Sequence, residues 1–147
     1  MKVVLFCGGF GLRMREASEQ VPKPMIPVGQ EPILLHIMRY YAHYGHTEFI
    51  LCLGYQADVI KSFFEHARSA VIEDLVLARD GWAPHQLRQA ARDWKITFVD
   101  TGLHTNIGGR LRAVRDLIGN DELFLANYSD TLTDASTPGR SFTKSRR

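Results

Sequence analysis

Gly8-Gly9-Phe10-Gly11 is followed closely by Arg13, and Lys23-Pro24 comes ten residues after that arginine. Glycines leave backbone N–H groups unobstructed, so a loop built from them can close on an anion. An arginine fork and a lysine point charge each suit phosphate oxygens. A glycine nest with two cations of different shape describes a site for a polyphosphate. Further along, an apolar run ending at Val99 leads into Asp100-Thr101-Gly102, and one ending at Ala126 leads into Asn127-Tyr128-Ser129-Asp130.

These residues need a frame. Val3–Cys7 is apolar throughout and predicts a central strand covered on both faces. Residues 8–28 form a long connection in which Pro22, Pro24 and Pro27 block a continuous helix. A loop of that length inside a domain is usually functional. Pro32 predicts a helix from its favoured first position, with Ile33, Ile37, Met38 and Tyr41 as its stripe and Gly45 as its end. Glu48–Leu53 reads as a strand, Asp58–His66 as a helix buried through Val59, Ile60, Phe63 and Phe64, and Leu75–Ala78 as a short strand. Arg79–Asp93 is polar and shows no clear pattern. Lys95–Val99 predicts a strand, Arg110–Ile118 a helix with Leu111, Val114, Leu117 and Ile118 inward, and Leu123–Ala126 a strand. This alternation argues for an α/β fold with a mostly parallel sheet, in which ligands sit beyond the carboxyl ends of the strands. The glycine loop, Thr101 and Asp130 all fall at those ends.

Several chemistries drop out. A dinucleotide fingerprint needs a third glycine where Met14 stands and an acid where Gly54 ends the second strand. No Gly-Lys-Ser/Thr tripeptide supports a P-loop. His36 and His43 lie seven apart and have no ligand spacing. Cys7 and Cys52 sit in strand-like runs and read as buried thiols, and Trp82 and Trp94 as packing residues. The 147 residues carry a net charge of +2, but the tail from Ser136 holds Arg140, Lys144, Arg146 and Arg147 and no acid, which leaves the body at −2. Such a body offers no nucleic-acid footprint. With no signal-peptide pattern and no apolar run near ~18 residues, the expectation is a cytoplasmic protein without a membrane partner.

Gly8-Gly9-Phe10-Gly11-Leu12-Arg13-Met14 with Lys23-Pro24-Met25 resembles the signature of the sugar-phosphate nucleotidyltransferases, G-G-x-G-T-R-[LM] followed by K-P. Pro32-Ile33-Leu34, His36-Ile37-Met38, His43-Tyr44-Gly45, Cys52-Leu53-Gly54-Tyr55, Val99-Asp100-Thr101-Gly102 and Gly108-Gly109-Arg110-Leu111 resemble that family's glucose-1-phosphate cytidylyltransferase branch, in order and spacing. The resemblance covers residues 1–134 and implies a Rossmann-like three-layer α/β/α fold. It implies transfer of a nucleotidyl group from a nucleoside triphosphate, CTP, to a sugar 1-phosphate, glucose 1-phosphate, with release of pyrophosphate.

By the same resemblance, Phe6, Cys7, Gly8, Gly9, Phe10, Gly11 and Leu12 would cradle the nucleotide. Arg13 would grip the triphosphate and Lys23 neutralise the reacting phosphates as the catalytic cations. Thr105, Arg110 and Ser129 would contact nucleotide, and Asp130 would hold Mg²⁺. Chains of this branch commonly associate, so a homo-oligomer joins the expectations.

Leu12 stands where the signature has Thr, and Ile107 where the branch has Thr before Gly-Gly-Arg. The family domain also runs on for roughly another hundred residues, within the size of one α/β domain. Residues 135–147 show neither apolar periodicity nor resemblance and read as a basic, disordered tail. Two function classes therefore stand side by side: an enzyme, and a truncated nucleotide-binding remnant or half-domain completed by a partner.

Overall fold

The computed structural model describes residues 1–9, 21–69, 93–121, 123–131 and 141–143. Phe10, Gly11, Leu12 and Arg13 lie outside them, as do the expected strand at 75–78, Trp82 and most of 79–93. β1 (Lys2–Phe6) is central, and Val3, Val4 and Leu5 are wholly buried because both faces of the strand are covered. β4 (Glu48–Leu53) lies parallel on one side of it, and β5 (Lys95–Asp100) lies parallel beyond β4. β6 (Leu123–Tyr128) runs parallel to β1 on the other side. The order is β5-β4-β1-β6-β7, with β7 (Ser141–Thr143) antiparallel at the edge. The basic tail thus contributes one short strand beside Leu123–Leu125.

The chain winds outward from β1 to β5 and then returns to the opposite side of β1. The topological switch point therefore lies between β1 and β6, where an open α/β sheet leaves a crevice for a ligand. α1 (Ile33–His43) and α2 (Ala57–Ser69) cover one face, joining Leu35, Met38, Ile60 and Phe64 to Val3, Leu5 and Leu51. Trp94 is buried there, edge-on to Phe49 with ring centroids 5.3 Å apart. α3 (Ile107–Ala113) and α4 (Arg115–Ile118) cover the other face, packing Val114 and Ile118 on Val4, Ile50, Phe124 and Ala126. Helices on both faces make the expected three layers.

Local signals account for most boundaries. Pro32 caps α1 rather than opening it, and the helix starts one residue later. Gly45, at φ +82°, ends α1 in a Schellman motif: its N–H donates to Ala42 O, and that of His46 to Tyr41 O. The expected single helix 110–118 is corrected in two ways. It begins at Ile107, because the Asn106 side chain accepts the Gly109 N–H at 2.8 Å and caps the turn. It also breaks at Val114, whose φ of −101° and ψ of 6° leave helical geometry. After that break Leu117, expected to face inward, is 42% exposed. Val59 is likewise exposed on α2.

Between β1 and α1, a short 3-10 turn (Lys23–Met25) precedes a small hairpin of β2 (Pro27–Val28) and β3 (Glu31–Pro32). Arg39 of α1 forks onto the Glu31 carboxylate, and His36 Nε2 hydrogen-bonds Val28 O at 3.0 Å. These contacts fix the hairpin on the helix, and Ile33 N–H donates to Ile26 O directly after the turn. Lys23 is held at the sheet edge by that anchorage.

Candidate functional site

The parallel strands end together, and their carboxyl edge opens into a cavity of about 750 Å³. Phe6, Cys7, Gly8 and Gly9 line it from β1, Ser129 and Asp130 from β6, and Thr105 and Arg110 from the segment after β5. Lys23 reaches in from the 3-10 turn. Every described member of the sequence-derived site is therefore at one cavity.

The floor is tied by side chains. Ser129 Oγ donates to Phe6 O at 2.7 Å, joining β1 to β6. Arg110 is only 5% exposed, and its guanidinium spans three strand ends. Nη1 donates to Leu53 O at 3.0 Å and to Thr101 Oγ1 at 2.6 Å. Nη2 donates to Gly8 O at 3.0 Å and to Leu103 O at 3.4 Å. Thr101 Oγ1 in turn donates to Leu53 O at 2.7 Å. Among the described residues none of the ion pairs involves Arg110, and the partners of its guanidinium there are carbonyl oxygens and the Thr101 hydroxyl. A buried cation without a carboxylate leaves the floor positive, which favours an anion above it.

Gly8 is required for this reason. A Cβ there would stand 2.0 Å from Arg110 Nη1, and one on Gly54 would stand 2.8 Å from Gly8 O. The two glycines make room for the guanidinium, whereas a Cβ on Gly9 would meet nothing within 4 Å. Spacing alone assigned Gly8 and Gly9 alike to an anion nest. In the structure both line the cavity, but Gly8 is buried and makes room for Arg110, whereas Gly9 is exposed.

Lys23 Nζ and Asp130 Oδ2 lie 3.6 Å apart across the cavity, both partly exposed. The structure thus brings together the expected point cation and the expected metal ligand. Among the described residues Asp130 is the one acidic side chain lining the cavity, and they contain no group of three metal-ligating side chains. Mg²⁺ commonly takes one or two carboxylates and completes its shell with phosphate oxygens and water. A single accessible carboxylate beside a polyphosphate-sized cavity fits that pattern.

The two thiols are inert by contrast. Burial pushes the Cys7 thiol up to about 12 and the Cys52 thiol up to about 11, against the weaker pull of Arg110. Neither is a nucleophile at neutral pH.

Sequence reasoning placed Thr101 at the strand ends but missed its role, with the residue buried directly after β5 and its hydroxyl shared between Arg110 and Leu53. It also missed the apolar wall of Leu103, Ile107 and Tyr128. Phe6 and Tyr128 pair edge to face at 6.1 Å between ring centroids, the end of the β1–β6 register.

The profile of the Nucleotidyl transferase family matches residues 2–95. The chain is 41% identical over 137 residues to a probable glucose-1-phosphate cytidylyltransferase of Bacillus subtilis, covering 91% of this chain and 52% of that protein. It is 38% identical over 138 residues to the glucose-1-phosphate cytidylyltransferase of Salmonella typhimurium, with the same coverage. A solved UDP-glucose pyrophosphorylase from Acinetobacter baumannii superposes with a TM-score of 0.69 at 20% identity, over 88% of this chain and 45% of that one. HddC from Yersinia pseudotuberculosis, complexed with GMP-PN, gives 0.60 at 24% identity over 88% and 47%. The last two show a shared fold. The chain spans about half the length of the curated relatives it matches.

Proposed function

The chain belongs to the nucleotidyl transferase family, and from that premise we propose that its cavity holds the triphosphate of CTP for transfer of the cytidylyl group to glucose 1-phosphate, with pyrophosphate leaving. The observation that carries this reading is the meeting of the Gly8-Gly9 turn, Lys23 and Asp130 over a floor made positive by Arg110. The names of the relatives at 41% and 38% identity supply the nucleotide and the sugar.

The chemistry asks the protein mainly to position reactants and offset charge. In-line attack by the sugar phosphate oxygen on the α-phosphate concentrates negative charge on the phosphoryl oxygens. Backbone N–H groups of the glycine turn would orient the triphosphate. Lys23 would turn from Asp130 to the phosphates, where a mobile ammonium follows the charge as it moves to the leaving pyrophosphate. Arg13, by resemblance, would grip the same chain of phosphates bidentately. Thr105 and Ser129 sit where they can bound the nucleotide, Ser129 with its hydroxyl committed to Phe6 O. Asp130 would hold Mg²⁺, which when bound supplies charge neutralisation to the phosphate oxygens.

A second reading is nucleotide binding without turnover. Titration with CTP and Mg²⁺ tests the shared premise: saturable binding that Arg13→Ala and Lys23→Ala both weaken is expected, and equal affinity in all three proteins would count against the site. Pyrophosphate release from CTP and glucose 1-phosphate then separates the readings.

A further inference from the structure

Arg110 falls where the family resemblance implies a nucleotide contact, yet its donors point into the protein. Both terminal nitrogens are engaged, on Leu53 O, Thr101 Oγ1, Gly8 O and Leu103 O. The bond to Gly8 O has a geometric consequence. With no cis peptides present, the C=O of Gly8 and the N–H of Gly9 belong to one trans unit and point in opposite directions. The Gly8 carbonyl is drawn down onto the guanidinium at 3.0 Å, with a longer second bond from the Tyr55 N–H at 3.5 Å, and this turns the Gly9 N–H the other way. Gly9 is exposed and lines the cavity, and its N–H has no acceptor among the described residues.

Thr101 makes the guanidinium rigid. Its hydroxyl accepts from Nη1 and donates to Leu53 O, so the side chain has a fixed polarity and the arginine plane has a fixed tilt. Thr101 is buried and does not line the cavity. We propose that Arg110, braced by Thr101, is a positioning residue: it locks the Gly8–Gly9 peptide plane so that the Gly9 N–H is presented to the phosphates, and it does so without itself reading the nucleotide. The inference rests on the polyphosphate reading above. It assigns to Thr101 a role in phosphate binding at one remove, through Arg110 and Gly8.

The test uses the full chain, two probes and one spectrum. The probes are CTP with Mg²⁺ and inorganic tripolyphosphate with Mg²⁺; the spectrum is the ¹⁵N amide spectrum of the ligand-free protein. Thr101→Val removes the hydroxyl at nearly constant shape, and loss of a charge-assisted hydrogen bond predicts weaker binding on the order of tenfold. The expected loss is equal for both probes, because only the phosphate cradle is disturbed. The Gly9 amide resonance is expected to move before any ligand is added, and Thr101→Ser is expected to restore both properties. Thr101→Val that binds both probes as the parent does, with an unmoved Gly9 amide, would overturn the proposal. Should that variant fail to fold, Arg110→Lys decides with the same probes. An equal loss for both supports positioning, while a loss confined to CTP means that Arg110 reads the base and overturns it. Failure of the parent chain to bind either probe would instead remove the polyphosphate reading on which the proposal stands.

Discussion

Gly8→Ala sets two physical effects of opposite sign against each other. Gly8 does not occupy the left-handed region, so alanine fits its backbone, and on that ground the change would stabilise the protein by about 0.4–1 kcal/mol. Packing says otherwise. The new methyl would stand 2.0 Å from Arg110 Nη1 and 2.5 Å from Cζ, far inside contact distance, and the guanidinium is buried. Forcing atoms into a filled site costs about 1–3 kcal/mol. The alternative, swinging Arg110 into the cavity, forfeits bonds to Leu53 O and Thr101 Oγ1 that are each worth about 1.5–3 kcal/mol when one partner is charged. Packing wins, and with the backbone gain subtracted the net expectation is a loss of about 1 kcal/mol. Urea unfolding at constant m-value measures it, in a cycle with Arg110→Ala. In the Arg110→Ala background the methyl has room, so Gly8→Ala should become neutral or slightly stabilising. A coupling of about 2 kcal/mol is the expected result, well above the ~0.5 kcal/mol scatter of independent sites. Full stability of Gly8→Ala, or the same loss in both backgrounds, would refute the argument.

Two further outcomes follow from the same cavity. Lys23→Ala breaks a partly exposed pair 3.6 Å long, so its urea midpoint should correspond to a change within about 0.5 kcal/mol of the parent even where its triphosphate affinity falls. The buried thiols give a pH dependence with a definite sign. With Cys7 at about 12 and Cys52 at about 11, the unfolded chain loses these protons first as the pH rises, so stability falls above the ordinary thiol range near pH 9. The slope contributed approaches about 1.4 kcal/mol per pH unit for each thiol. Comparing urea midpoints at pH 8 and 10 for the parent and a Cys7→Ala/Cys52→Ala variant isolates it, and identical pH slopes would refute it.

Strand residues were the most legible part of the sequence, because a strand covered on both faces must be apolar at every position. Val3–Leu5 and Phe49–Leu53 satisfy that and are buried as expected. The convergence at the carboxyl edge followed from the alternation of elements. Less was readable around Arg110. Gly108-Gly109 looked like a loop, yet Asn106 caps a helix through it, a local hydrogen bond that outweighs the low helix propensity of glycine. The use of Gly8 and Gly54 was not legible at all. Glycine spacing reports that something approaches the backbone but not what it is, and here it is a side chain 102 residues away rather than a ligand. The role of Thr101 was hidden for the same reason, since its partners, Leu53 and Arg110, come from two other segments.

The strand order also has a consequence for how the protein is made. β1 leaves the ribosome ahead of β6, so one of its two edges waits for that strand, and the Phe6 carbonyl waits for a serine 123 residues later. At a synthesis rate of about 5–20 residues per second, that interval is roughly 6–25 seconds. Throughout it, Val3, Val4 and Leu5 form an apolar segment with an open edge, the kind of template that recruits other chains. The central position that later shields the strand so fully is thus what leaves it longest exposed during synthesis.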